Sequence, residues 1–341
     1  MKVILDAFGG DSAPLEVLRS CEVVVSQGRK VELCLVGNIK KIEELANKNA
    51  ICIKNFEIIH APDILTMHDE PSSITGANVK SSMAVGLSVL SKCRGDVFVT
   101  AGNSGALVVG ATFSVGRINN VSRCAFSPIL PGISSPFMLI DGGANISCRP
   151  SMLVQFAVMG SIYMKKVLGI NSPRVALANI GTEEHKGDKL RTETFLALSE
   201  EDSLNFIGNI EARNIPYSTA DVIVTDGFTG NIILKLYEGM AGFFMNKFKN
   251  IFNKNIKNKI AASFFMSDLK QLKKQIGEDE YGGAPVLGAA KPIFKVHGNS
   301  KAKNFANAIN SAILYAKTGV IREISDFIAK KNKIIKRTES V

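Results

Sequence analysis

The chain is defined first by what it does not contain. Its six cysteines, at positions 21, 34, 52, 93, 124 and 148, include no Cys-x-x-Cys pair. Scattered cysteines of this kind read as reduced thiols of a cytosolic protein, not as a disulfide framework. Cys148 stands close to the central loop described below, but no histidine lies near it in sequence to activate it as a nucleophile. No uninterrupted apolar run reaches the roughly 18 residues that span a bilayer, and no charged segment followed by an apolar stretch opens the chain. We therefore expect a cytoplasmic protein. No Gly-x-Gly-x-x-Gly follows a strand, which leaves a nicotinamide cofactor without support. The four histidines form no ligand-spaced cluster with acids, so neither a metal nor a cofactor is expected.

What is present points to an α/β enzyme. With 341 residues, 46% of them apolar, the chain can hold one large α/β domain, expected here to run over 1–341. A net charge of +10 suits an acidic partner: nucleic acid, anionic lipid or an acidic protein. The chain is organised around Asp141-Gly142-Gly143-Ala144-Asn145. An apolar run, 136–140, precedes this loop and reads as a buried parallel strand, and a helix over Met152 to Lys165 follows it. A strand that ends in an acid and two glycines places a carboxylate and bare N–H groups at the edge where open α/β sheets bind ligands.

The same theme recurs along the chain. The strand over 2–5 ends in Asp6-Ala7-Phe8-Gly9-Gly10-Asp11, ahead of a helix from Ser12 to Ser26. Further strands are expected at 31–36 and 56–59, with a helix over 40–48 between them. The polar stretch around His68, a solvated loop histidine, leads into a helix over 72–91. The strand over 96–100 delivers Gly102, Asn103, Ser104 and Gly105, where Asn103 or Ser104 caps the next helix or helps to cradle an oxyanion. The strand over 174–178 ends in Asn179, Gly181, Glu183, Lys186 and Gly187, and Lys186 could clamp a phosphate. Asn209 and Glu211 follow the strand over 204–207. Asp226, Gly227, Thr229, Gly230 and Asn231 follow the strand over 222–224. His297 and Gly298 stand at a late strand-to-helix junction, and His297 is the preferred titratable candidate. Turns do not require carboxylates and amides each time, so the repetition indicates one shared site.

A different stretch carries a different message. From Gly239 to Ser267 there is no aspartate or glutamate, yet the window holds five lysines and six phenylalanines. Phe244, Phe248, Ile251 and Phe252 share a helical face. The segment 239–276 reads as an inserted amphipathic helical hairpin with an apolar tip at Phe264-Phe265-Met266 and a collar that includes Lys257 and Lys259. Such a hairpin either buries its phenylalanines against the body or a second subunit, or docks on an anionic membrane. Nucleic acid is a third and less favoured partner, because arginines do not alternate with the aromatics.

Taken in order, Asp6 to Asp11, Ala101 to Gly105, Asp141 to Asn145, Asn179-Ile180-Gly181 with Lys186-Gly187, Gly208 to Glu211, Asp226 to Asn231, Tyr281-Gly282-Gly283-Ala284-Pro285 and His297-Gly298 resemble the bacterial phosphate acyltransferase family. The likeness covers Asp6 to about Ala316. It departs from the usual pattern at Phe8 and near Asn78, so no phosphate contact is carried over to Asn78. The resemblance implies a homodimer with a three-layer, doubly wound, mostly parallel and Rossmann-like sheet, akin to phosphotransacetylases and isocitrate dehydrogenases. It implies transfer of a fatty acyl chain from acyl carrier protein to inorganic phosphate, giving acyl phosphate for phospholipid synthesis, with peripheral attachment to the inner face of the membrane through the hairpin. The alternatives are an enzyme that uses acyl-coenzyme A and a non-catalytic anion-binding protein.

The chemistry asked of such a site is limited. Phosphate dianion is already a nucleophile, so the site must hold it, place it and stabilise an oxyanion. On that reading Asn103, Asp141, Asn145, Lys186, Asp226 and His297 carry catalysis, and the remaining strand-end residues named above bind substrate.

Overall fold

The expected strands are short apolar runs that stop where glycine, asparagine or aspartate lets the chain turn. In the computed structural model, which describes residues 1–265, 267–268 and 282–338, these runs divide between two sheets. The first contains β1 (Lys2–Asp6), β2 (Glu32–Gly37), β3 (Glu57–His60), β4 (Val97–Thr100), β5 (Ala125–Phe126), β11 (Ala284–Leu287) and β12 (Ile293–Lys295), in the order β3-β2-β1-β4-β12-β11-β5. The run from β3 to β12 is parallel, and β11 and β5 close the edge antiparallel. The second contains β6 (Ile129–Leu130), β7 (Phe137–Ile140), β8 (Arg174–Asn179), β9 (Asn205–Glu211) and β10 (Val222–Val224), in the order β6-β7-β10-β8-β9, parallel except at β6.

The central strands of both sheets are covered on both faces, which is why β4, β7 and β10 are almost wholly apolar and fully buried. Val3 and Leu5 of β1 join the core that α1 (Leu15–Ser26) and α9 (Ala302–Lys317) cover. Ile4 joins a second core with α3 (Ser82–Ser91). In the second sheet, Val222 and Val224 of β10 face α5 (Pro150–Leu168), whereas Ile223 packs with Leu234 of α7 (Gly227–Asn253). One core runs through both sheets and includes Leu5, Met138, Phe156, Val222 and Phe294.

Two expected helices differ in extent. The one over 72–91 is interrupted: a single turn at Pro71–Thr75 is followed by α3, which starts late because Ser81 caps it by accepting from Ala84 N (3.3 Å). Gly76 lies in the break. The hairpin does not begin at Gly239, because α7 already starts at Gly227 and runs unbroken for 27 residues. Asn255 then caps α8 (Ile256–Phe264), accepting from Asn258 N at 2.8 Å. The expected continuation over 269–276, together with Met266 and Tyr281, lies outside the described residues.

Candidate active site

β1, β4 and β12 are neighbours and parallel, so their carboxyl ends meet at one edge. There Asp6 is buried, accepting from Thr100 Oγ1 (2.6 Å) and Phe8 N (3.2 Å). Burial pushes its carboxyl above the usual carboxylate range, against the pull of these hydrogen bonds. Asp11 N donates to Gly298 O at 2.7 Å and ties the loop after β1 to the loop after β12. Asn103 caps α4 (Ser104–Gly110) by accepting from Ala106 N at 3.1 Å. Its Nδ2 faces the carbonyl oxygens of Thr66, Met67 and Asp69 at 3.4, 3.4 and 3.3 Å, which pins the 66–69 loop beside the edge.

The opposite wall comes from the second sheet. The buried carboxylate of Asp141 accepts from Phe126 N (3.0 Å), Gly143 N (3.1 Å), Ala144 N (2.9 Å), Asn145 N (2.7 Å) and Asn145 Nδ2 (2.7 Å). Burial pushes this carboxyl upward, and those donors oppose the shift. Asn145 Nδ2 also donates to Cys124 O at 2.8 Å. The first turn of α7 lies directly on this loop: Gly227 N donates to Asn145 O at 2.7 Å. A side chain at Gly230 would overlap the carbonyl of Asp141, so glycine is the residue that permits this approach. Asp226 caps α7, accepting from Thr229 N (2.9 Å) and Thr229 Oγ1 (3.0 Å), and Arg191 of α6 (Lys189–Ser199) pairs with the same carboxylate.

Between the walls lies a cleft of about 400 Å³. Among the residues expected from sequence, Asp11, Ser104, Gly142, Gly143, Asn231, His297 and Gly298 line it. His297 Nε2 lies 3.2 Å from Glu238 Oε1, and Lys235 Nζ donates to Glu238 Oε2 at 2.8 Å, so α7 and the loop after β12 meet across the cleft. Although burial works against it, the hydrogen bonds from His297 and Lys235 hold the Glu238 carboxyl below its usual range. Lys295, the last residue of β12, is 6% exposed and also faces the cleft.

Other expected residues stand elsewhere. The loops after β8 and β9 form a second polar cluster on the carboxyl edge that Asp141 and Asp226 share, outside the cleft lining. Within it, Asn179 Nδ2 donates to Lys186 O (2.9 Å), Asn209 Nδ2 to Glu183 O (2.9 Å), and Glu211 pairs with Arg213 (2.8 Å). Gly181 and Gly187 pack against Lys186 and Asn179 respectively. Gly9, Gly102 and Gly105 pack behind the first wall against Asp6, Met83 and Pro71, and Gly10 packs against Gly298 O.

At three of the expected positions the polar groups are arranged differently from what the sequence suggests. Asn103 and Asn145 were expected to offer amides to an oxyanion, but both amide nitrogens face carbonyl or carboxylate oxygens of the chain itself. The N–H groups of the Asp141–Asn145 loop were expected to be bare. Instead Gly142 N donates to Phe126 O at 2.7 Å, and the next three point at Asp141. Lys186, expected to clamp a phosphate, stands outside the cleft lining. Sequence reasoning missed Lys295 and Glu238. The available signals were one lysine inside the apolar run Ile293-Phe294-Lys295-Val296 and one acid three residues after Lys235 in a helix.

The arm formed by α7 and α8 exposes its apolar side chains. Phe264 is 78% and Phe265 56% exposed, and Lys257 and Lys259 are exposed beside them. Phe243, Phe244 and Ile251 are exposed as well, so this face is not buried against the body. Among the described residues, no helix is long and apolar enough to cross a membrane.

Residues 1–323 match the family described as fatty acid synthesis protein. The chain is 42% identical over 324 residues to a phosphate acyltransferase of Acetivibrio thermocellus, covering 95% of each chain. It is 37% identical over 332 residues to one of Clostridium acetobutylicum, covering 97% of this chain and 100% of the other. Among solved structures, it resembles a phosphotransacetylase from Streptococcus pyogenes (TM-score 0.62, 15% identity, 93% and 94% of the two chains). It also resembles a branched-chain phosphotransacylase from Enterococcus faecalis (TM-score 0.56, 12% identity, 93% and 99%). At these identities the structural likeness speaks for the α/β fold alone.

Proposed function

Because the chain belongs to the fatty acid synthesis protein family and is a phosphate acyltransferase, we propose that it transfers a fatty acyl chain from an acyl carrier protein thioester to inorganic phosphate, giving acyl phosphate for phospholipid synthesis. The observation that carries this reading is the cleft, where the edges of both sheets bring Asp11, Ser104, His297 and Gly298 opposite Gly142, Gly143 and Asn231. Because the cleft and the core both draw on the two sheets, the chain is treated as one catalytic unit with the arm as an insertion.

In this reading the lining residues contact the substrates. Phosphate attacks the thioester carbonyl, and His297, oriented by Glu238, gives a proton to the leaving thiolate. Asp6, Asn103, Asp141, Asn145 and Asp226, whose polar atoms are committed to the chain, act as positioning residues that hold the walls. Asn179, Gly181, Glu183, Lys186, Gly187, Asn209 and Glu211 form an outer rim. There Lys186 draws anionic substrates toward the cleft as a long-range charge.

The net charge of +10 favours an acidic carrier protein as acyl donor. The end of the arm at Phe264-Phe265, with Lys257 and Lys259, docks on the anionic inner face of the membrane, where a hydrophobic product would be handed on. Nearer the body, Phe228, Ile232, Leu236 and Met240 are exposed at four-residue spacing on α7, a stripe suited to pairing two copies in a homodimer.

The test follows thiol release from an acyl carrier protein thioester with and without phosphate, and from acyl-coenzyme A as comparison. Phosphate-dependent release from the carrier thioester is expected. Faster release from acyl-coenzyme A would favour a phosphotransacetylase-like enzyme, and no release from either would leave only a membrane-docking, anion-binding protein.

A further inference from the structure

We propose that Lys295 is a catalytic residue that grips the phosphate acceptor at the floor of the cleft. The inference rests on the phosphate-acceptor reading above and assigns that anion a place.

An ammonium taken out of water is stable only when hydrogen-bonded and compensated by an opposite charge. Lys295 Nζ donates to Ala101 O (3.2 Å) and Val296 O (2.5 Å), both neutral carbonyls. These account for two of its three N–H groups. Among the described residues no carboxylate makes an ion pair with it. Of the charged groups around it, Lys235 repels it, while Asp6, Asp11 and Glu238 attract it without bonding to it. From β1, Asp6 accepts from Thr100 and Phe8. From α7, Glu238 is held by Lys235 and His297, and Lys235 adds a like charge. Asp11, on the loop after β1, attracts Lys295 without touching it. Meanwhile the N–H groups of 142–145 that face the same cleft are turned inward. Lys295 therefore keeps one N–H donor to spare at the floor, and an anion entering from solvent completes it.

Phosphate is opposite in charge to the Lys295 ammonium and accepts hydrogen bonds. An oxygen lone pair of the bound dianion attacks the thioester carbonyl carbon. The C–O bond forms, the C–S bond breaks and the electron pair leaves on sulfur. The proton that phosphate gives up equals the one that sulfur gains, and Lys295 ends the cycle with the protons it began with. Burial, reinforced by Lys235, brings its ammonium down to about 8. The charge is thus present below that pH and lost above it, so phosphate use should fall on the alkaline side.

The test compares wild type with Lys295→Met and Lys295→Arg, using inorganic phosphate and acyl carrier protein thioester. Lys295→Met is expected to raise KM for phosphate roughly 10- to 100-fold, with KM for the thioester within about twofold. It should also abolish the rise in Tm that phosphate gives wild type, a readout that needs no turnover. Lys295→Arg should retain part of the phosphate affinity and lose the alkaline fall in kcat/KM, because its charge does not titrate there. A Lys295→Met protein whose phosphate KM stays within about threefold of wild type overturns the inference, as does an arginine variant with the wild-type alkaline limb. If wild type itself releases thiol independently of phosphate, the functional reading fails and the inference with it. A phosphate-dependent wild type matched by its variants removes the inference alone.

Discussion

The cleft and the arm invert the usual distribution of side chains in opposite ways. In the cleft walls, charged and amide groups are buried and bonded to one another: Asp141 takes five donors, and Asp226 is held by Arg191 and Thr229. On the arm, large apolar side chains are exposed: Phe243, Phe244, Ile251, Phe264 and Phe265. Each arrangement costs the isolated chain stability, since buried polar groups lose water and exposed apolar ones keep it ordered. The contrast separates two tasks. Under the proposed function, a site that acts on an anion needs fixed polar geometry, and an arm that meets a membrane needs apolar area that stays uncovered until it docks.

The largest effect is expected at Asp141. Asp141→Ala leaves four backbone N–H groups and the Asn145 amide without their acceptor, at a cost on the order of 3–5 kcal/mol. We expect a thermal melt to show Tm lowered by roughly 5–10 °C and activity lost. An unchanged Tm would mean that the wall does not depend on this carboxylate.

A smaller effect is expected in the proton path. His297→Gln should lower kcat about 10- to 100-fold, near or below the lower end for a general acid because a thiolate leaves easily. Glu238→Gln should lower kcat about 10-fold, with less effect on KM for either substrate. Steady-state kinetics over a pH range checks both. Equal kcat in all three proteins would show that the thiolate departs unaided.

The arm is probed by Phe264→Ser with Phe265→Ser. Burying a phenylalanine contributes about 1.5–3 kcal/mol at most, and less at an interface. The pair should therefore cut sedimentation with anionic vesicles by about 10-fold or more at any salt, while activity in solution persists. High salt should weaken the lysine contribution alone. Sedimentation equal to wild type would assign these phenylalanines to an interface between copies. The smallest effect is expected at Lys186: Lys186→Ala should raise KM for the anionic substrates only about twofold at low salt, and the difference should vanish at high salt.

How much of this was legible in the sequence follows from which residues announce themselves. Glycine beside an acid or amide at a strand end is visible, so the loops at Asp6, Asn103, Asp141, Asn179, Asp226 and His297 were found. Their division between two sheets was not visible, because buried parallel strands are all apolar runs and their order depends on crossovers. The direction of each polar group was equally hidden: the amides of Asn103 and Asn145 look available in sequence, yet face inward. Lys295 escaped notice because a lysine at the end of a three-residue strand resembles a solvated edge residue until burial is known. The missing acids from Gly239 onward are visible in the sequence, whereas the unbroken course of α7 from the first turn that closes on Asp141 is not.

Under the proposed function, phosphate itself becomes the acyl acceptor. Phosphorus-31 NMR of the enzyme with acyl carrier protein thioester and inorganic phosphate tests it most directly. The account predicts a new acyl phosphate resonance that grows as inorganic phosphate declines, in step with free thiol. Thiol release with an unchanged phosphate signal and free fatty acid as the product would contradict it.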